Sequence, residues 1–156
     1  DPIEYVHHEI GYNYRLTNLQ AAVGVAQMEQ LDEYVRIKRE IAGRYAKGLA
    51  GVPGLTLPKE ASWACSTFWL YTLLVDEARY GMGSRALQRA LAERNIQTRP
   101  LWAPIHTLPP YRDCQTYRIE TADRLYRDAL SLPCSVGLKQ ADQERVITAV
   151  RVLVGR

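Results

Sequence analysis

Residues 11–15, Gly-Tyr-Asn-Tyr-Arg, carry side chains suited to binding an anion. Asn13 supplies an amide and Arg15 a planar guanidinium rich in N–H donors, and both groups suit a phosphate or a carboxylate. The residues that follow predict how they are held, because Thr17 is a suitable N-cap and Gln20 stands where a capping box requires it. The pattern indicates either an anion-binding loop fixed in front of a helix or an ordinary polar surface loop.

A second candidate group lies between residues 99 and 111, where Pro104, Pro109 and Pro110 stiffen the stretch over 102–111. A loop fixed by proline loses little conformational entropy when it holds a ligand. Its guanidinium, indole, imidazole and phenol groups together suit a sugar and a phosphate. These candidate residues are Arg99, Trp102, His106 and Tyr111. The alternative is an irregular connection in which Trp102 is buried and Arg99 makes a surface ion pair.

The stretch from about residue 18 to residue 49 is predicted to be one kinked helix or two helices in series. Its opening, residues 21–26, is small and apolar on every side, which is typical of a helix that is buried all round. Its continuation is amphipathic, with apolar residues at helical spacing. Since little else in the chain could cover the opening, we expect part of its packing to come from polypeptide outside this sequence or from a second subunit.

Shorter elements follow a turn at Pro53-Gly54. Residues 67–76 predict a central strand covered on two sides, with Trp69 and Tyr71 in the core or reaching a cleft with their polar tips. Ser84 is expected to cap a helix that Asn95 ends in the left-handed conformation. Further strands are predicted over 55–57, 96–101 and 132–134, and helices over 85–94, about 119–129 and 141–154. The alternation predicts an α/β layer built on a strand–helix–strand unit.

The totals exclude several classes of protein. The chain has 156 residues, and its net charge of +3, from 20 basic and 17 acidic residues, is too small to argue for nucleic acid. It shows neither an apolar run long enough to span a bilayer nor a signal-peptide pattern. Its three cysteines are far apart and predict reduced thiols in the cytoplasm. Adjacent His7 and His8 are poorly placed to chelate one metal, so no metal site is expected. The opening Asp1-Pro2 suggests a piece of a longer protein.

Three motifs resemble one family of enzymes. They are GYNYRLTNLQAAVGVAQMEQLDEYVRIKREIAGRY from residue 11, STFWLY from residue 66 and TRPLWAPIH from residue 98. Together they are similar to the DegT/DnrJ/EryC1/StrS sugar aminotransferases, which are pyridoxal 5′-phosphate (PLP) enzymes of fold type I. The resemblance covers nearly the whole chain. It implies a small C-terminal α/β (α+β) domain over residues 31–156, with a long N-terminal helix and a short, mostly antiparallel sheet flanked by helices. Residues 1–30 would end the large-domain segment.

The resemblance also implies where the site residues lie. In the family a lysine forms the Schiff base with PLP, and that lysine lies upstream of the segment matched here, so no catalytic residue is assigned in this chain. Asn13 matches the asparagine that reaches across a homodimer to the cofactor phosphate, and Arg15 and Tyr12 share its loop. Arg99, Trp102, His106 and Tyr111 would lie on the substrate side. Many relatives have His where this chain has Trp69.

The four lysines of the chain argue independently that it lacks the cofactor anchor. Lys38, Lys47, Lys59 and Lys139 are expected on charged helix faces or in loops, where solvated lysines make poor nucleophiles.

The implied reaction of the parent protein transfers an amino group from glutamate to a nucleotide-linked keto-sugar. This polypeptide alone is expected to be inactive. Two alternatives stay open: a non-catalytic module for dimerisation or sugar-nucleotide binding, and a PLP-dependent sugar dehydratase of the same family.

Overall fold

The structure is a computed structural model that describes residues 9–155. It contains six α-helices over this range, α1 (Asn18–Met28), α2 (Leu31–Gly48), α3 (Glu77–Tyr80), α4 (Ser84–Ala92), α5 (Glu120–Asp128) and α6 (Gln140–Val152). The described strands are β1 (Leu55–Thr56), β2 (Tyr71–Val75) and β3 (Ala129–Leu132). Two 3₁₀ turns, Ile105–Thr107 and Pro109–Tyr111, lie between α4 and α5. The chain divides into two compact units after Glu33, and each is described by itself. The assignment of residues 1–30 to a large-domain segment stays a prediction.

In the first unit, the predicted capping box at the start of α1 is confirmed. The Thr17 amide donates to Gln20 Oε1 at 3.0 Å, and the Gln20 amide donates to Thr17 Oγ1 at 3.3 Å. The box therefore satisfies two backbone donors that the helix itself leaves unpaired. The helical stretch is two helices in series rather than one. No residue of α1 is buried, and Leu19 is 82% exposed, so the first unit does not itself cover this helix.

In the second unit, the sheet is antiparallel with the strand order β1-β2-β3, which confirms the predicted central strand. Strand β2 is shorter than predicted, because Phe68 has φ 46° and the chain becomes extended only from Tyr71. The prediction of two covered faces is wrong in part. Tyr71, Leu73 and Val75 are buried, whereas Thr72 and its like-facing neighbour Leu74 are only half-buried.

The core of the second unit lies between this sheet and α2, α4 and α6. Each of these elements contributes side chains that are almost completely buried, among them Ile41, Tyr45, Leu73, Leu87, Leu91, Leu130 and Val150. Two buried phenols tie distant segments together, since Tyr45 Oη donates to the Pro133 carbonyl at 2.7 Å and Tyr80 Oη donates to the Val150 carbonyl at 2.5 Å. Burial raises the pKa of Tyr80 to about 12 and also raises that of Tyr45.

Gly54 lies in the turn between α2 and β1 that the sequence predicts. Its φ of 74° and the close approach of α3 both require glycine, because a Cβ on Gly54 would lie 2.4 Å from the Tyr80 amide nitrogen. The backbone of α3 can therefore pack directly against this turn.

The predicted strand over residues 96–101 is wrong. Only Arg99 pairs there, in a single antiparallel bridge with Ser131, and Pro100 has no N–H with which to extend the ladder. The strand predicted over 132–134 lies nearer the N-terminus in the structure, since β3 covers Ala129–Leu132. Ala129 is predicted to belong to the preceding helix but is the first residue of this strand.

The ends of α4 correct one prediction and confirm another. Gly83, not Ser84, is its N-cap, and Ser84 Oγ instead donates to the Arg127 carbonyl at 2.5 Å. Asn95 has φ 56°, which confirms the predicted left-handed residue at the end of the helix.

Candidate functional site

In the first unit, the loop before α1 brings Asn13 and Arg15 together. Asn13 Oδ1 accepts two hydrogen bonds from Arg15, one from the amide nitrogen at 3.1 Å and one from Nε at 3.3 Å. The rings of Tyr12 and Tyr14 lie beside each other, with their centroids 5.9 Å apart. All four side chains are exposed.

The donors left over in this loop fit an anionic group. Asn13 uses its carbonyl oxygen as an acceptor, which leaves its Nδ2 group directed at no acceptor in residues 9–155. The terminal nitrogens of Arg15 likewise donate no hydrogen bond within that range. An amide and a guanidinium fork with free N–H groups are suited to phosphate oxygens. The loop therefore fits the phosphate of a cofactor such as PLP, although the roles of Asn13, Arg15 and Tyr12 stay predictions.

In the second unit, a cavity of about 1020 Å³ brings Arg99 and Trp102 together with Trp69. The two indoles lie nearly parallel, with centroids 6.0 Å apart and an interplanar angle of 21°, and each residue is 69% exposed. Trp102 is thus not buried, and Arg99 makes no ion pair among the described residues, so the irregular connection proposed as the alternative does not describe these two residues. Their role in binding substrate stays a prediction.

Two backbone hydrogen bonds position one of the segments that line this cavity. The Arg99 amide donates to the Ser131 carbonyl at 3.1 Å, and the Ser131 amide donates to the Arg99 carbonyl at 2.8 Å. This pair of hydrogen bonds fixes the segment that leads to Trp102 against β3. The prediction of a core position for Trp69 is wrong, because the left-handed residue Phe68 precedes it and breaks the alternation of a strand.

His106 and Tyr111 do not line this cavity. They lie on the two 3₁₀ turns, where His106 Nε2 is 2.8 Å from Asp123 Oδ1 on α5. That contact orients the imidazole and ties the first turn to α5. His106 and Tyr111 thus lie outside the lining that Arg99 and Trp102 share, and their part in substrate binding stays a prediction.

Lys38 corrects the expectation that every lysine is solvated. Its Nζ donates to the Cys134 carbonyl at 2.6 Å and to the Trp69 carbonyl at 2.7 Å, and it lies 3.2 Å from Cys134 Sγ. The ammonium group therefore joins α2 to the segment that precedes β2 and the segment that follows β3, both of which line the cavity. Hydropathy patterning alone could not reveal this role, because the partners are main-chain carbonyls far away in sequence. The other lysines, Lys47, Lys59 and Lys139, are exposed as expected.

Residues 9–155 contain no cluster of three or more metal-ligating side chains, and none of their helices is long and apolar enough to cross a bilayer. His7 and His8 lie outside the described residues.

The second unit combines helices α2, α4 and α6 with the three-stranded antiparallel sheet, and comparison with known proteins identifies the class of protein to which the chain belongs. Residues 2–151 match the model of the DegT/DnrJ/EryC1/StrS aminotransferase family. The chain belongs to this family, whose members depend on PLP.

Individual relatives agree with this assignment. The chain is 38% identical over 149 residues to EpsN of Bacillus subtilis (strain 168), which is named as a pyridoxal phosphate-dependent aminotransferase; the match covers 93% of this chain and 38% of EpsN. It is 36% identical over 147 residues to GDP-perosamine synthase of Caulobacter vibrioides, covering 93% of this chain and 39% of that enzyme. The chain thus spans well under half the length of these relatives.

A solved structure confirms the fold class. The crystal structure of the aminotransferase TlmJ from Streptoalloteichus hindustanus superposes with a TM-score of 0.78 at 32% identity, over 86% of this chain and 36% of TlmJ. The predicted fold, a small domain of a fold type I PLP enzyme with helices around a short antiparallel sheet, is therefore confirmed.

Proposed function

We propose that this chain is the C-terminal part of a PLP-dependent aminotransferase that transfers an amino group from glutamate to a nucleotide-linked keto-sugar. The observation that carries the proposal is the match of 93% of the chain to GDP-perosamine synthase, whose product is by name a nucleotide-linked amino sugar. The reduced cysteines favour a cytoplasmic enzyme, and the exposed apolar side chains of α1 favour a homodimer. These two statements belong to the proposal.

The loop before α1 would hold the cofactor by its phosphate. Asn13 Nδ2 and the terminal nitrogens of Arg15 are the donors available for this purpose, and the hydrogen bonds from Arg15 to Asn13 Oδ1 orient both groups in advance. Tyr12 would border the same phosphate. When bound, PLP supplies the electron sink that amino-group transfer needs.

The chain itself is proposed to contain no residue that anchors the cofactor covalently. Lys38 donates to two main-chain carbonyls and would have to break both hydrogen bonds to act as a nucleophile. Lys47, Lys59 and Lys139 are exposed and lie outside the lining of the cavity that holds Trp69 and Trp102, so nothing there positions them as nucleophiles. The chain alone is therefore expected to be inactive, with the anchoring lysine on polypeptide that precedes it.

The decisive experiment compares this chain with a longer polypeptide that adds the upstream part expected from the relatives. With PLP, glutamate and a GDP-linked keto-sugar, the longer protein should absorb at roughly 400–430 nm, form 2-oxoglutarate and convert the keto-sugar to an amino sugar. The 156-residue chain should do none of this.

Asn13→Ala in the longer protein should weaken PLP binding without changing its fold. Loss of the keto-sugar without glutamate would identify a dehydratase instead, and a longer protein that binds no PLP would identify a non-catalytic module. A stable, borohydride-trapped adduct on the 156-residue chain would refute the claim that it lacks the anchor.

A further inference from the structure

A recess of about 520 Å³ lies between α2 and α6 of the second unit, and it shares no lining residue with the cavity of the two indoles. Its charged lining consists of three cations and one carboxylate, Arg44, Lys47, Arg151 and Glu144. We propose that this recess binds a small phosphate monoester, with the cations on the phosphate group and the organic part against the apolar side chain of Ile147. The site goes beyond the proposed function and uses no residue assigned there to the cofactor or the substrate.

A glycine lets the two helices approach closely enough to gather these charges. A Cβ on Gly48 would lie 2.7 Å from Ile147 Cδ1 of α6, so any larger residue would displace that side chain. Arg44 and Lys47 are three residues apart on α2, which makes them neighbours on the helix surface. Arg151 joins them from α6, because its Nη1 donates to the Gly48 carbonyl at 2.9 Å. Two helices therefore bring three positive charges to one recess.

A fully buried glutamine orients the guanidinium of Arg44. Gln143 has no exposed surface, and its Oε1 accepts from Arg44 Nε at 2.6 Å. The other end of the same amide is fixed, since Nε2 donates to the Ile41 carbonyl at 2.7 Å and a carbonyl can only accept. The two terminal nitrogens of Arg44 make no hydrogen bond with residues 9–155. The guanidinium is thus held by Nε and offers its free fork for paired hydrogen bonds to phosphate oxygens.

The charges of the lining match a dianion. Glu144 is engaged by a neighbour on α6, because its Oε1 accepts from Gln140 Nε2 at 2.8 Å. None of the three cations forms an ion pair with a carboxylate in the part of the chain that the structure describes. Three positive charges and one negative charge leave the lining with a surplus of two positive charges. A phosphate monoester carries about −1.5 to −2 at neutral pH, whereas a carboxylate or a sulfate ester supplies only one negative charge.

The size of the recess favours an organic phosphate over the free ion. Its volume lies within the range usual for sites that bind small organic molecules and exceeds what a phosphate group alone would fill. Ile147 is half-buried and lines the same space, so it presents apolar surface next to the cations. A monoester with an apolar organic part can use both kinds of surface at once.

The test titrates the 156-residue chain with phenyl phosphate at neutral pH and constant ionic strength, followed by NMR. The Arg44 Nε–H resonance should shift and saturate. Phenyl sulfate, which has the same shape and one negative charge, should bind about tenfold more weakly, the loss expected for one charge-assisted hydrogen bond. Inorganic phosphate, which lacks the ring, should also bind more weakly than phenyl phosphate.

Two lysines of the chain provide a matched pair of variants. Lys47→Gln should weaken phenyl phosphate binding about threefold, within the range of an exposed ion pair. Lys59→Gln changes the net charge equally, but Lys59 is exposed and lies outside the recess, so the affinity should stay unchanged. Neither side chain makes a hydrogen bond with the described residues, and both variants should therefore fold as the wild type does.

A substitution of Arg44 tests the oriented guanidinium. Arg44→Gln, followed at the Arg151 Nε–H resonance, should weaken phenyl phosphate binding about tenfold. Arg44→Lys keeps the charge but lacks the planar fork, so it should not restore the affinity. Circular dichroism and the thermal midpoint establish that both variants are folded.

The proposal would be overturned if phenyl phosphate left the Arg44 resonance in place, if phenyl sulfate bound equally well, or if Lys59→Gln weakened binding as much as Lys47→Gln. Sedimentation of the chain with phosphatidic acid vesicles, without binding of phenyl phosphate, would reject a soluble ligand. Arg15→Gln should leave the titration of Arg44 unchanged, which separates this recess from the loop before α1. Failure of the longer protein to transaminate would reject the proposed function and leave this result intact.

Discussion

Each of the two units of the chain is stabilised internally by a different kind of contact. In residues 9–33, α1 is defined by its capping box and its own backbone ladder, and it buries no residue. In residues 34–155, short elements are defined by contacts between distant parts of the chain, such as the phenol of Tyr80 on the Val150 carbonyl and the amide of Gln143, whose Nε2 donates to the Ile41 carbonyl at 2.7 Å. The first unit is specified locally and the second by packing.

This difference separates what forms an element from what stabilises a fold. A capping box contributes on the order of 1 kcal/mol, and isolated helices of this length are marginal in water. A buried core contributes far more, because each large apolar side chain removed from water is worth roughly 1.5–3 kcal/mol. The second unit should therefore carry the cooperative unfolding transition, while α1 should respond mainly to its own local interactions.

The largest expected effect comes from a cavity in the core of the second unit. Leu130 is fully buried at the centre of β3, opposite Leu73 of β2. Leu130→Ala should lower the free energy of unfolding by about 2–5 kcal/mol, since it loses apolar burial and leaves a void. Urea denaturation should show this as a lower midpoint with an unchanged slope.

The matched control is Leu19→Ala in α1, where the same atoms are removed from a residue that is 82% exposed. Its effect on the free energy of unfolding, measured by urea denaturation, should stay within about 0.5 kcal/mol, as is usual for surface substitutions. Equal losses from the two variants would contradict the division between a packed unit and a locally held helix.

The sequence predicted elements well wherever their signal was local. The capping box of Thr17 and Gln20, the left-handed Asn95, the turn at Gly54 and the last helix, predicted over 141–154 and observed over Gln140–Val152, all depend on residues close together in the chain, and all are present. The strand predicted over 96–101 failed for a different reason. Its composition suits a strand, but pairing depends on the partner β3 and ends at Pro100.

The candidate site was predictable only in part. Asn13 and Arg15, which are joined by hydrogen bonds, are close together in the sequence, so the sequence itself could suggest that their side chains act together. The cavity instead combines Trp69 from before β2 with Arg99 and Trp102 from after α4, and only the tertiary fold brings them together. The sequence does not reveal the role of Lys38, because main-chain carbonyls carry no sequence signal, nor the contact of His106 with Asp123, because Asp123 lies on a later helix.

A smaller effect is expected at two buried phenols of the second unit. Tyr80 Oη donates to the Val150 carbonyl, whereas Tyr71 Oη has no hydrogen-bond partner among the described residues. Tyr80→Phe should cost about 1 kcal/mol because it leaves that carbonyl unpaired, while Tyr71→Phe should be neutral or slightly stabilising. Chemical denaturation at neutral pH measures both, and a larger loss from Tyr71→Phe would contradict the assigned partners.

The same phenols predict alkaline destabilisation of the packed unit. Burial raises the pKa of Tyr71 and of Tyr80 to about 12, whereas the pKa of a tyrosine in the unfolded chain is about 10. The folded state therefore keeps these protons after the unfolded state has lost them. Their contribution to stability is complete below about pH 10 and is lost as the pH rises toward about 12. The free energy of unfolding should fall across this interval, and less steeply in Tyr71→Phe.

The smallest effect on global stability should come from the capping box itself. Thr17→Ala removes the hydroxyl that accepts from the Gln20 amide and should destabilise α1 by about 1 kcal/mol. Amide hydrogen exchange over residues 20–28 should accelerate accordingly, and Thr17→Ser, which keeps the hydroxyl, should restore protection. The urea midpoint of the chain should stay unchanged, because the described part of α1 adds no buried side chain to the cooperative core. A shift of that midpoint as large as the local loss would mean that α1 unfolds together with the second unit, and the two regions would then be one cooperative structure.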